Sequence, residues 1–182
     1  ELAEFIEEGY PLENRRADDR GRFRFLGRQN INRTWQARAN LNWISDPRYL
    51  EDFNNNLDSI SNSRISSDLG VYGRGRSWDA GLMADYWQLG DYTQPESILP
   101  YHRLPRLYAN WEDGFGPFVA GVSAEATRFE HANPRATASD PRARPGGSRL
   151  DVMPWLSMPL EGAAWFITPT LAWRYTGYEL ED

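Results

Sequence analysis

Residues 32–53 read NRTWQARANLNWISDPRYLEDF, and the first half of this stretch alternates with a period of two. Apolar side chains occupy the odd positions from Trp35 to Trp43, and polar side chains occupy the even positions between them. This period predicts an extended strand with one apolar and one polar face. The alternation stops at Ser45, where a polar loop begins.

Alternating segments of this kind recur along the chain, and the connections between them are alternately short and long. We predict strands near 21–31, 35–44, 65–75, 78–89, 105–112, 117–130, 149–158 and 163–178. We predict short turns near 32–34, 76–77, 113–116 and 159–162, and long loops at 45–64, 90–104 and 131–148. Residues 1–20 are expected to be a polar lead-in segment or loop, and residues 21–182 a β-barrel fragment.

The predicted short turns agree with the alternation of the strands that they join. Residues opposite each other in a hairpin must share a face. The turn at 76–77 places Gly75 opposite Trp78. The turns at 113–116 and 159–162 place Glu112 opposite Pro117 and Met158 opposite Ala163.

Composition narrows the class of protein. The chain has 182 residues, a net charge of -6 and no cysteine, and all 20 of its basic residues are arginine. Net acidity argues against a nucleic-acid binder, and a chain without cysteine has no disulfide or thiolate metal site. Mean hydropathy is -0.70, which excludes a hydrophobic run of about 18 residues. Alternating membrane strands are not excluded, because their two faces average out. The chain starts with Glu and is expected to be a mature protein or an excised fragment.

Two locations are possible for the apolar face. In a soluble sandwich, or in a small barrel that binds a ligand in its interior, this face is the core. In a transmembrane barrel it meets lipid. Aromatic residues stand at both ends of the apolar rows, as in Trp35 and Trp43, and every other connection is short. Both features are typical of outer-membrane barrels, so we predict lipid on the apolar face and a wet lumen on the other.

The predicted fold class is all-β: an antiparallel up-and-down meander of about eight strands that is part of a large transmembrane β-barrel. The polar face is rich in arginine, which a narrow lumen would have to pair and a wide lumen would solvate. The chain also stops at Glu179–Asp182 without the aromatic residue that usually ends a closed barrel. The lumen-facing arginines are Arg22, Arg24, Arg28, Arg38, Arg74, Arg106, Arg149 and Arg174.

Two motifs carry a family resemblance. ISDPRYLEDF, residues 44–53, resembles a "VSDxxYFxDF"-like segment of the LptD family of lipopolysaccharide-assembly proteins. PYHRLPRLYANW, residues 100–111, resembles the family's "PYxRLPxL" element. The resemblance covers roughly residues 10–180 and departs at Leu50, where an aromatic residue is usual. Composition alone does not exclude another large outer-membrane barrel, such as a porin or receptor, and only these two motifs favour the LptD family.

The resemblance implies a role in inserting lipopolysaccharide into the outer leaflet of a Gram-negative outer membrane. It implies a barrel of up to about 26 strands, an LptE-like plug lipoprotein and a periplasmic Lpt bridge that is reached through an N-terminal jellyroll domain. The jellyroll, the family's disulfide cysteines and the lateral gate are expected to lie outside this stretch. The stretch itself would be barrel wall and external loops in contact with outer-membrane lipid.

Two sets of candidate site residues follow. The eight lumen arginines could bind lipopolysaccharide phosphates, or could line a solvated or plug-paired wall. The external loop motif Asp46, Tyr49, Asp52 and Phe53 could fold the loop inward onto the lumen or the plug, or could be held by local Asp turns.

No enzyme activity, cofactor or metal is predicted. The carboxylate pairs Asp79/Asp85 and Glu125/Asp151 are of the kind that lumen faces carry routinely, and we do not read them as acid–base catalysts. His102 and His131 lack ligand spacing. Pro154 and Pro169 fall inside predicted strands, where they are expected to mark local weakness or bulges.

Overall fold

The computed structural model describes residues 17–53, 63–131 and 145–181. Its strands are β1 (Arg22–Asn30), β2 (Trp35–Ile44), β3 (Arg64–Arg74), β4 (Trp78–Leu89), β5 (His102–Phe115), β6 (Phe118–Glu130), β7 (Gly147–Ser157), β8 (Leu160–Gly162), β9 (Trp165–Ile167), β10 (Thr170–Ala172) and β11 (Tyr175–Leu180). A short helix, α1 (Tyr49–Phe53), follows β2, and a 3-10 turn at Glu96–Ile98 precedes β5. Within the described ranges, no helix is long and apolar enough to cross a membrane.

The strands form one antiparallel meander. From β1 to β7 each strand pairs with the next along the chain, and β10 and β11 both pair with β7. In the described part of the chain β1 does not pair with β11, so the sheet is open at both edges. The prediction of an all-β, up-and-down meander that is part of a larger barrel is confirmed. The short connections lie at one end of the strands, which we call the turn end, and the long connections lie at the other end, which we call the loop end.

The last hairpin corrects one predicted turn. The turn predicted at 159–162 is wrong, because β8 and β9 meet around Ala163 and Ala164 with Gly162 opposite Trp165. The same register continues down the hairpin through Ser157 opposite Thr170. Met158 is therefore not opposite Ala163.

Prolines explain why this hairpin consists of several short strands. The predicted strand 163–178 is interrupted, although its register does not change. Pro154, Pro159 and Pro169 have no N–H and cannot donate to the ladder. The strand pairing continues where a proline carbonyl accepts a hydrogen bond. Met158 N donates to Pro169 O (3.1 Å), and Trp173 N donates to Pro154 O (3.0 Å).

The hairpin of β5 and β6 corrects a second turn. The turn predicted at 113–116 is wrong: β5 continues to Phe115, which lies opposite Phe118, so Gly116 and Pro117 make the turn. Gly116 has a φ of +58°, a value that glycine adopts without steric cost. Glu112 consequently lies opposite Gly121 rather than Pro117.

The apolar face of the sheet is exposed. Among the described residues the buried hydrophobic side chains are four, Ile44, Leu50, Leu89 and Leu99. Large side chains of the apolar face remain open, including Phe23, Trp43, Leu69, Leu82, Leu107, Trp111, Leu150, Ile167, Leu171 and Trp173. A soluble domain does not leave so large a contiguous apolar surface in water. The soluble interpretation requires a covered face, which the described residues do not provide, and the sheet is that of a transmembrane barrel.

Aromatic rings cover several glycines on neighbouring strands. Trp155 of β7 lies over Gly121 of β6, and a Cβ on that glycine would come within 2.5 Å of the indole ring. Tyr108 of β5 covers Gly81 of β4 in the same way. These glycines leave room for a ring to lie flat on the sheet.

We predict that Gly121→Ala destabilises the full-length protein by about 1–3 kcal/mol, because the added methyl displaces the Trp155 ring. The matched control is Gly114→Ala, since a Cβ at Gly114 meets its nearest atom at 3.8 Å. The control should change stability by no more than about 0.5 kcal/mol. Thermal unfolding of both variants gives the comparison, and equal changes in Tm would contradict the covering role of Trp155.

Candidate functional site

The registers place all eight predicted arginines on the polar face. Arg28 lies opposite Arg38, and Arg38 opposite Gly70. Arg106 lies opposite Met83, and Arg149 opposite Thr127. Within the described residues these arginines do not form one cluster. Arg106, Arg149 and Arg174 line a common cavity, whereas Arg28 and Arg38 lie on β1 and β2.

The centre of that cavity is an ion-paired triad. Arg106 donates from Nε (2.9 Å) and Nη2 (2.6 Å) to Glu125 Oε2. Arg149 Nη2 donates to the other carboxylate oxygen, Oε1, and Thr127 Oγ1 donates to the same atom (3.2 Å). One carboxylate on β6 therefore joins arginines from β5 and β7. The three charged side chains are 21–32% exposed, so the triad is open to an aqueous lumen.

A second ion pair adjoins the triad. Arg174 Nε donates to both oxygens of Asp151, at 3.2 and 2.9 Å, and Thr176 Oγ1 donates to Oδ2 at 2.6 Å. The cavity between the two groups has a volume of about 320 Å³. We call it the arginine groove. Its charged lining comprises three arginines and two carboxylates, Glu125 and Asp151, so it carries one surplus positive charge.

The other predicted arginines make weaker contacts. Arg38 stacks over the Tyr72 ring at 5.1 Å, and Arg28 Nε donates to Gln36 at 3.1 Å. No ion pair holds Arg22, Arg24 or Arg74 within the part of the chain that the structure describes. The arginine groove thus depends on three of the eight predicted residues. Its central carboxylate, Glu125, is one that the sequence suggested only as part of an unconvincing acid–base pair.

The loop motif is held by an arginine that sequence reasoning missed. Arg20 donates from Nε (2.9 Å) and Nη2 (2.8 Å) to the two oxygens of Asp46, and from Nη1 (2.6 Å) to Asp52 Oδ2. Its guanidinium lies 4.8 Å from the Phe53 ring centroid and 6.0 Å from that of Tyr49. All four predicted motif residues therefore meet at one side chain. We call this arrangement the Arg20 clamp.

Local bonds complete the clamp. Ser45 Oγ donates to Asp46 Oδ2 (2.9 Å), and Arg48 N donates to Asp46 Oδ1 (3.1 Å). The Asp turn that the sequence suggested is thus present beside the long-range ion pair. The loop is further attached by Arg48, which stacks over Tyr92 of the next long loop at 4.3 Å.

The clamp changes the titration of its charged groups. Burial acts to raise the pKa of the Asp46 carboxyl, but hydrogen bonds from Arg20 and Ser45 outweigh it and hold that pKa below its ordinary value of 3.8. Hydrogen bonds to Asp46 and Asp52 raise the pKa of Arg20. Both groups are therefore charged at neutral pH, and the clamp is an ion pair there.

The two histidines of the loop end have structural partners. His102 Nδ1 accepts a hydrogen bond from Trp87 N (3.1 Å), and its ring stacks on Tyr86. His131 Nε2 lies 2.9 Å from the carbonyl oxygen of Leu99, which it can reach only as a donor. In the residues described, no group of three or more His, Cys, Asp or Glu side chains could hold a metal ion.

An open meander with an exposed apolar face and an arginine-lined polar face defines the wall of a large transmembrane β-barrel. At the loop end of that wall, Arg48 of the first long connection stacks over Tyr92 of the second. Comparison with known proteins identifies which barrel family this wall represents.

Residues 18–182 match the family described as LptD, LPS transport system D. The chain is 48% identical over 192 residues to the "LPS-assembly protein LptD" of Xanthomonas campestris pv. campestris (strain 8004), covering 94% of this chain and 24% of that protein. The protein of the same name from Xylella fastidiosa (strain Temecula1 / ATCC 700964) is 45% identical over 184 residues, covering 94% of this chain and 23% of its own length. The chain belongs to the LptD family and spans about a quarter of the length of these relatives.

We predict that acid opens the Arg20 clamp. Because the pKa of Asp46 is lowered in the folded state, its stabilisation is complete above the ordinary value of 3.8 and is lost as pH falls through the lowered value. The Arg48 amide bonds to Asp46, so its hydrogen-exchange protection factor reports the opening. Arg20→Gln should reduce that protection about tenfold at neutral pH, since it leaves a buried carboxylate unpaired.

The control is Arg64→Gln, which removes an exposed arginine at the same end of the sheet and should leave the protection of Arg48 unchanged. Asp46→Asn should abolish the acid dependence. An acid dependence that survives in Asp46→Asn would contradict the assignment of the opening to this carboxyl.

Proposed function

We propose that this chain forms part of the outer-membrane translocon that inserts lipopolysaccharide into the outer leaflet, where it supplies barrel wall and external loops. The observation that carries the proposal is membership of the LptD family across nearly the whole chain. Relatives that share 45–48% identity are named LPS-assembly proteins. The proposed role is transport rather than catalysis.

The proposal includes a location and an orientation. The sheet lies in the outer membrane of a Gram-negative bacterium, with its turn end toward the periplasm and its loop end outside, as short and long connections are arranged in such barrels. The remaining strands close the barrel against β1 and β11. Its partners are a plug lipoprotein of the LptE type and a periplasmic Lpt bridge, which an N-terminal domain outside this stretch contacts.

Within the lumen, we propose that the arginine groove contacts phosphate groups of lipopolysaccharide. Arginine binds phosphate through two parallel hydrogen bonds. The groove has a surplus of one positive charge, and Arg149 Nε is buried without a hydrogen-bond partner in the described residues. The surplus favours an anion, whereas the internal ion pairs keep the binding weak enough for the substrate to leave.

The Arg20 clamp has a different proposed role. It ties Arg20, just before β1, to Asp46 and to α1 after β2, and so holds residues 45–53, the described start of the first external loop, against the end of the sheet. The four motif residues then present a rigid surface toward the lumen mouth or the plug. A fixed loop keeps the outlet shape constant while lipid passes.

The test is site-specific photocrosslinking in the full-length protein in cells. A photoreactive residue at Met153, which lines the arginine groove, should capture lipopolysaccharide. The matched control is Leu156, which lies opposite Ala120 on the apolar face. It is near the turn end, which the proposed orientation places in the periplasmic leaflet, and it should not capture lipopolysaccharide. Arg174→Gln, which removes the surplus charge, should reduce the Met153 adduct roughly tenfold, as expected for one lost charge-assisted hydrogen bond.

A paired substitution separates charge from structure. Arg106→Gln combined with Glu125→Gln removes an ion pair but keeps the net charge, so it should retain most of the adduct. Absence of lipopolysaccharide at Met153, with capture of the plug lipoprotein instead, would overturn the phosphate contact. Equal capture at Met153 and Leu156 would contradict the assignment of the polar face to the lumen.

A further inference from the structure

A groove crosses the apolar face near the turn end. Its floor is formed by Ala80, Ala109 and Ala124, which lie opposite one another on β4, β5 and β6. The groove has a volume of about 600 Å³, and its lining residues come from six adjacent strands, β2 to β7. Large apolar side chains on the loop-end side form its wall: Val71, Leu82, Leu107 and Leu150.

Two tryptophans lie at the turn-end corner of this groove. Trp35 lies flat over Gly73, where a Cβ would come within 2.7 Å of the ring, and Trp78 covers Gly75. The two ring centroids are 5.6 Å apart. Tryptophan is enriched at membrane interfaces, where lipid head groups begin. The corner therefore marks the level at which the groove meets the head-group region.

Two arginines lie in the short turns beside the tryptophans. Arg33 is in the turn before Trp35, and Arg76 is in the turn before Trp78. The turns are joined because Arg74 N donates to Thr34 O at 3.0 Å. Both arginines are exposed, and neither forms an ion pair with any residue that the structure describes. Two unneutralised guanidinium groups thus stand next to the open end of an apolar groove.

We propose that this corner is a binding site for one anionic phospholipid of the periplasmic leaflet. The phosphate binds Arg33 and Arg76, the glycerol region packs on the tryptophan pair, and one acyl chain lies along the alanine floor. Charge complementarity selects the head group, because guanidinium binds phosphate bidentately. The alanine floor accommodates the chain, because alanine side chains are short beside the larger Val71, Leu82 and Leu107 that border them.

The inference goes beyond lipopolysaccharide transport. It rests on the membrane assignment of the sheet and on the proposed orientation, in which the turn end faces the periplasm. A phospholipid at this corner would fill the groove on the lipid-facing side of the wall. It would also mark the periplasmic boundary of the barrel next to the β1–β2 and β3–β4 turns. The occupied groove and the arginine groove lie on opposite faces of the same strands, so the two sites are tested separately.

The test is native mass spectrometry of the full-length protein with its bound partners, released from detergent in the presence of phosphatidylglycerol. We expect one tightly retained phosphatidylglycerol per protein, and at least roughly tenfold weaker retention after Arg33→Gln with Arg76→Gln, which remove two charge-assisted contacts. The matched control, Arg64→Gln with Arg128→Gln, removes two arginines at the loop end and should retain the lipid.

A second pair of variants tests the groove itself. Ala109→Phe fills the floor but keeps both arginines, and it should also lose the lipid, whereas Ala39→Phe on the apolar face of β2 should not. Unchanged retention in either the arginine pair or Ala109→Phe would overturn the proposal. So would equal retention of phosphatidylethanolamine, or displacement of the lipid by inorganic phosphate, which would indicate a site for the head group alone. Unchanged Tm in each variant excludes loss through unfolding.

Discussion

The structure depends on one constraint: in hydrocarbon every backbone N–H and C=O must find a partner within the protein. The meander meets this constraint strand by strand, since each strand from β1 to β7 bonds to its neighbours on the chain. Proline has no backbone N–H to donate, and the three prolines of the last hairpin account for its division into short strands. The hairpin keeps a single register, from Gly147 opposite Leu180 to Gly162 opposite Trp165, because proline carbonyls still accept.

A second constraint follows from the first. Once the backbone is satisfied, the period of two divides the side chains between two faces, and the charged side chains in the central parts of the strands lie on one of them. The carboxylates of that face are held by basic or amide groups: Glu125 by Arg106 and Arg149, Asp151 by Arg174, and Asp79 by Asn110. These carboxylates are thereby compensated, whereas Arg22, Arg24 and Arg74 have no ion pair within the described residues. The same strands present alanine and leucine on the opposite face.

Alternation predicted the strands and placed all eight arginines on the polar face, but it did not give the positions of two turns. The reason is that alternation determines parity and not register. Moving the β5–β6 turn from 113–116 to Gly116 and Pro117 leaves Trp111 and Val122 on the same face, so both positions satisfy the pattern. The Arg20 clamp was missed for a different reason. Arg20 and Asp46 are 26 residues apart, and no periodic signal links them. The central position of Glu125 in the arginine groove likewise depends on the register of β5, β6 and β7, which cannot be determined from the alternation of the sequence.

The most direct test of this account is cysteine accessibility along β2 in the full-length protein, embedded in a membrane that carries a bilayer-buried quencher. Single cysteines at positions 35 to 43 would each carry a fluorophore. The account predicts quenching at the odd positions and access to water-soluble reagent at the even positions. If fluorophores at the odd positions are not quenched and the cysteines there do not react with the water-soluble reagent, those positions are covered by protein. This result would contradict the membrane assignment and the roles proposed for both faces.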